Sequence, residues 1–164
     1  MDMAHFQDGS DYCYSEYFEA PGTVNVGWLG NGMSFPRYPP SEELLSLIWQ
    51  YTQFSVARAR GVHYCDLCTS ARCVEERDGL ALLLGAAEMR VFGSEGVIYA
   101  APNMLYHYVR VHHYQPPEAF VRALQEQPAP PDPFYFERLS ALGLEWSEAL
   151  VYTPSMIRPR LRPD

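Results

Sequence analysis

The sequence predicts an α+β fold: a small antiparallel sheet with three to four helices. Three observations predict it. Short runs of β-branched residues end in glycine turns, and longer runs carry apolar residues at helical spacing. The chain has 164 residues, of which 48% are apolar, enough for one core without cross-links. No internal repeat points to a solenoid. One domain with extensions is expected: a leader over 1–22, an α+β domain over 23–125, and a proline-rich linker, terminal helix and tail over 126–164.

The elements follow in order. The leader is punctuated by Gly9, Ser10, Pro21 and Gly22, with Tyr12, Tyr14, Tyr17 and Phe18 able to pack on the core. Thr23 to Leu29 alternates and reads as a strand, closed by Gly30-Asn31-Gly32. Ser41 is a natural N-cap, and Glu42 and Glu43 suit the positive end of a helix dipole. With Leu44, Leu47, Ile48 and Tyr51 at helical spacing, a helix is expected from Ser41 to about Gln53. Phe54–Arg58 reads as either the end of that helix or a strand, and 69–79 as a polar loop. Leu80 to Leu84 is apolar and of open type. Glu88–Phe92 and Val97–Ala101 flank a glycine-bounded turn and make a hairpin. A helix beginning near Pro102 carries the histidines, a second runs from Pro117 to about Gln125, and a last one covers Phe134–Leu142 before Gly143.

Charge narrows the function classes. The net charge is −8, and all twelve basic residues are arginine. An acidic surface repels a phosphate backbone, so nucleic acid is not an expected partner. Arg158, Arg160 and Arg162 cluster in the tail, where a solvated terminus is the plain reading. The absence of lysine suggests a GC-rich genome. No run of about 18 apolar residues exists, and the first residues lack the basic start and apolar run of a secretory signal, so no membrane span and a cytoplasmic location are expected. In that compartment clustered cysteines read as metal ligands rather than disulfides.

The strongest local signal is His63-x-Cys65-x-x-Cys68. Two thiolates two residues apart can share one tetrahedral ion, and zinc then needs two more ligands. No second C-x-x-C exists, so histidine must supply them: His107, His112 and His113 lie in one helical segment. His107 and His112 stand about 140° apart around a regular helix, so both reach one ion only if the helix ends or unwinds before His112. In an extended segment residues 63 and 65 face the same way, so His63 competes for the fourth place. A buried thiol pair and a core histidine are the plainer alternatives, and a thioredoxin-type redox motif is a further functional one. The redox motif lacks its βαβ setting here. Cys73, Cys13 and His5 read as bystanders. A nucleoside-deaminase site is excluded, since its H-x-E and P-C-x-x-C are missing.

The chain resembles a bacterial family of unknown function. Three segments carry the resemblance: Val26-Gly27-Trp28-Leu29, Arg60-Gly61-Val62-His63-Tyr64-Cys65-Asp66-Leu67-Cys68, and the block from Tyr99 through Phe120. The resemblance covers roughly 24–124 and implies that His63, Cys65, Cys68, His107 and His112 belong together, with His113 at a variable position. Two departures stand out. Gly30 replaces the acid that usually follows V-G-W-L, and Gly85-Ala86-Ala87-Glu88 replaces a G-N-G-E turn.

The expected function is a zinc-stabilised, non-catalytic binding or interaction module, with one zinc ion and an unknown protein partner. Tyr106, Tyr108 and Tyr114 would offer the binding surface. The alternative is a zinc-dependent hydrolase with an open metal position, using Glu88 or His63 as acid or base; a surface carboxylate in the hairpin is the plainer reading of Glu88.

Overall fold

The computed structural model describes residues 5–15, 20–68 and 72–153. Tyr17, Phe18 and the arginine tail lie outside the described residues. Among the described residues, seven strands and four helices run in the order β1 (Thr23–Asn25), α1 (Glu42–Thr52), β2 (Phe54–Val56), β3 (Val74–Arg77), β4 (Leu80–Leu83), β5 (Glu88–Phe92), β6 (Ile98–Pro102), α2 (Leu105–His112), α3 (Glu118–Glu126), α4 (Pro133–Ala141) and β7 (Trp146–Glu148). This is an α+β fold with one sheet ordered β1-β6-β5-β2-β7 and a separate β3-β4 hairpin. All pairings are antiparallel except β1 with β6.

Local chemistry explains the boundaries. Ser41 accepts the Leu44 N–H at 3.1 Å and so caps α1. Asp132 does the same for α4 through the Phe134 N–H at 2.9 Å, and Pro133 occupies the first turn. β1 stops at Asn25, short of the strand expected through Leu29. Gly27 has φ 75°, which breaks the extended course, and Trp28 then reaches back to donate its indole N–H to Ala100 O at 3.0 Å.

Two other expectations need correcting. Residues 74–77 form a strand, not part of a polar loop, and pair with the apolar run Leu80–Leu83. The side chain that β3 turns inward is Glu75, so its buried position reads as polar. The histidine helix starts at Leu105, not near Pro102. Pro102 closes β6 opposite Glu88, at a strand end where its missing N–H costs nothing.

The core lies between the sheet and α1, α2 and α3. Ile48 and Tyr51 from α1, Met89 and Val91 from β5, Leu105 and Val109 from α2, and Phe120 from α3 are all buried. Each such aliphatic side chain contributes about 1.5–3 kcal/mol. Tyr106, Tyr108 and Tyr114 belong to this core at 1%, 0% and 0% exposure, so they form no binding surface. The described leader residues follow β1: Gly9 N–H donates to Asn25 O at 2.8 Å and Asn25 N–H to Ser10 O at 2.8 Å, and Tyr12 is buried. Among the described residues no helix is long and apolar enough to cross a membrane.

Candidate metal centre

Three segments build the centre. The first is the loop after β2. Cys68 N–H donates to Cys65 O at 3.2 Å, closing a tight turn that holds the two sulfurs on one side. Its approach is anchored on Gly85: His63 N–H donates to Gly85 O at 2.8 Å, and a Cβ on Gly85 would collide with His63 O. Gly85, at φ 104°, therefore has no room for a side chain and no backbone tolerance for one. Asn103 fixes the same turn by accepting the Gly85 N–H at 2.8 Å.

The second segment is α2. His107 is buried and His112 half-buried. Cys68 Sγ lies 3.3 Å from His107 Nε2 and 3.2 Å from His112 Nε2, and Cys65 Sγ lies 3.4 Å from His112 Nε2. The four ligand atoms all lie within 4.8 Å of one another. Zinc bonds of about 2.3 Å to sulfur and about 2.0 Å to nitrogen, at tetrahedral angles, place S and N about 3.5 Å apart, so the donors fit such an ion. The helix does not end before His112, as the spacing seemed to require; it runs through it. Azimuth alone ignores the reach of an imidazole, and the two rings meet with centroids 5.1 Å apart. His113 follows at φ 56° and turns the chain away, which leaves it outside the group.

The third segment is β3. Glu75, buried to 3%, accepts from His107 Nδ1 at 2.7 Å, from Arg110 Nε at 2.6 Å and from Arg110 Nη2 at 3.0 Å. A carboxylate on the far nitrogen fixes the tautomer that aims Nε2 at an ion and makes the ring a better ligand. Burial works against the Glu75 charge, but the His107 and Arg110 hydrogen bonds win and its carboxyl is held below the usual range. Neither Glu75 nor Arg110 is signalled by spacing to the cysteines. The one available hint is that Arg110 sits three residues after His107, on the same helix face.

Electrostatics suit a cation. Burial pushes the Cys65 thiol up to about 11, with the Cys68 sulfur adding to the shift and the Leu67 N–H opposing it. A divalent ion reverses that preference and holds thiolates. Burial, then His107 and Arg37, lower His112, which keeps its ring neutral and able to ligate. Cys73 is no distant bystander: it is buried, and its sulfur lies with Glu75 and His107 in an overlapping group within the same 4.8 Å limit. Burial, Glu75 and the two other sulfurs push its thiol up.

His63 and Glu88 are placed elsewhere. Both line a small cavity of about 30 Å³ with Trp28 and Asn103, and neither belongs to the four-ligand group. Glu88 is not a surface carboxylate; it is 3% exposed and accepts from Tyr12 Oη at 3.1 Å and Arg90 Nη1 at 2.8 Å. His5 is not idle either. Its Nδ1–H donates to Leu29 O at 2.9 Å, and its Nε2 meets Asp66, inside the cysteine loop, at 3.2 Å. Its ring fills the space where Gly30 lacks a side chain. Cys13 is exposed.

An α+β domain with a partly buried Cys–His cluster able to hold a metal ion is thus the class that fold and site define. Residues 4–125 match the domain of unknown function DUF7919, and the chain belongs to that family. No curated protein and no solved structure matches the chain.

Proposed function

We propose that the protein is a zinc-stabilised, non-catalytic interaction module of the bacterial cytoplasm, with Cys65, Cys68, His107 and His112 as ligands to one zinc ion. The observation that carries this reading is the convergence of four protein donors of the right type at tetrahedral spacing. Four protein ligands fill zinc's coordination sphere and leave no position for a substrate. Such an ion joins the loop after β2 to α2 and contributes its binding energy directly to folding. His63 is not needed as a ligand on this reading.

The alternative hydrolase needs an open position and an acid or base beside it. Glu88 and His63 are the residues the sequence offers, and they line a different cavity, with both Glu88 oxygens already engaged. Elemental analysis of the purified chain followed by cobalt substitution tests both readings. The module predicts about one zinc per chain and a tetrahedral two-sulfur, two-nitrogen cobalt spectrum insensitive to added anions. A five-coordinate spectrum, or one that anions shift, would establish an open site and overturn it.

A further inference from the structure

The extended stretch before α1 pairs with the stretch after α2: Tyr38 N–H donates to His113 O and Gln115 N–H to Pro36 O, each at 2.9 Å. Beside this pairing lies an open trough of about 530 Å³. Tyr38, Pro39, Pro40 and Leu44 line it from the α1 side, and Pro116 and Val121 from the α3 side. Tyr38 is 67% exposed. Glu118 lines the trough too, and Glu42 and Glu43 stand in the first turn of α1, just after the lining residue Ser41.

Proline and tyrosine rings beside carboxylates suit one kind of occupant. A polyproline segment lays its rings on aromatic and proline faces, and it is already stiff, so little order is lost on docking. Arginines between the prolines find the carboxylates. Among the described residues Glu118 pairs with Arg122 at 3.2 Å, an exposed one-turn pair that is weak and easily exchanged.

We propose that this trough takes the stretch 154–164 of the same chain. That stretch carries Pro154, Pro159 and Pro163 interleaved with Arg158, Arg160 and Arg162. The described chain brings it close. Tyr152 N–H donates to Ala81 O at 2.8 Å, the neighbouring Leu80 pairs with Arg77, and Arg77 holds Glu42 at 3.1 Å at the head of α1. A stretch of this length, extended, reaches about 36 Å, ample for the trough. The inference is independent of the metal centre and stands or falls without it.

Methyl and aromatic NMR spectra of the full chain test it. In the variant Arg158→Glu/Arg160→Glu/Arg162→Glu, the Leu44 and Val121 methyls and the Tyr38 ring should shift, while Ile48 and Val91 stay. A synthetic peptide with the sequence of residues 154–164 should return those signals toward their original positions. It should bind the variant at least about tenfold more tightly than the unmodified chain, whose own stretch competes at high effective concentration. Unmoved spectra, or equal peptide affinity for both chains, would overturn the proposal. Trough shifts that grow with protein concentration would place the stretch on a second copy and overturn the intramolecular arrangement.

Discussion

Two carboxylates in this molecule are equally buried, at 3% exposure each, and each is bonded to an arginine, yet their protons behave oppositely. Glu75 accepts three hydrogen bonds, two from Arg110 and one from His107, and its carboxyl is held low. Glu88 accepts two, one of them from a neutral hydroxyl, and burial pushes it up despite Arg90. A buried charge is stable only to the extent that donors surround it. The Glu75 region adds a feature that the Glu88 region lacks: its donors end on a cluster able to hold a cation. One region closes within its own carboxylate, hydroxyl and guanidinium, while the other ends on side chains able to hold an ion.

That contrast can be broken or sharpened experimentally. The largest effect is expected at the sulfurs. Cys68→Ser should lose the metal and, with it, most of a binding term of about 10–16 kcal/mol, so elemental analysis and thermal melts should show a metal-poor chain without cooperative unfolding. Arg90→Ala removes the counter-ion from Glu88 and should cost about 3–5 kcal/mol in denaturant titration while metal content stays unchanged. Glu75→Gln keeps the shape and removes the charge behind His107; chelator competition should show metal affinity reduced about 10–100-fold in a folded chain.

Glu88 also predicts a pH dependence. Its folded carboxyl is raised above the unfolded one, so the folded state holds the proton more tightly. The wild type should therefore lose stability relative to Glu88→Gln as pH rises from the unfolded carboxyl value through the folded one, and regain it on acidification. Stability curves of the two chains that stay parallel over that window would contradict the assignment. The smallest effect is expected for His63→Ala: metal content unchanged and stability altered by about 0.5 kcal/mol or less. A loss of metal in that variant would return His63 to the candidate ligands.

Much of this was legible in the sequence. Cys65 and Cys68 announce themselves by spacing, because a metal-binding turn needs both sulfurs on one side. The hairpin of β5 and β6 and the cap of α1 have equally local signals. What escaped was nonlocal. Glu75 serves His107 across 32 residues, so no spacing rule marks it, and its inward position disguised β3 as a loop. His63 and Glu88, each a candidate acid or base beside a metal from the sequence, instead line a cavity apart from the four-ligand group. Tyr106, Tyr108 and Tyr114 suggest a surface because tyrosine often lies at one, but α2 and the bridge residue that follows it pack inward and bury all three.

The family match stops at residue 125, but the sheet does not. Its last rung is β7, which pairs Trp146, Ser147 and Glu148 with Val56, Ser55 and Phe54. Cut back to the matched residues, the chain would leave β2 with a bare row of amide donors and acceptors, flanked by Phe54 and open to any passing strand. The segment beyond the match that carries β7 thus acts as a selvedge, finishing a woven border that would otherwise unravel into self-association.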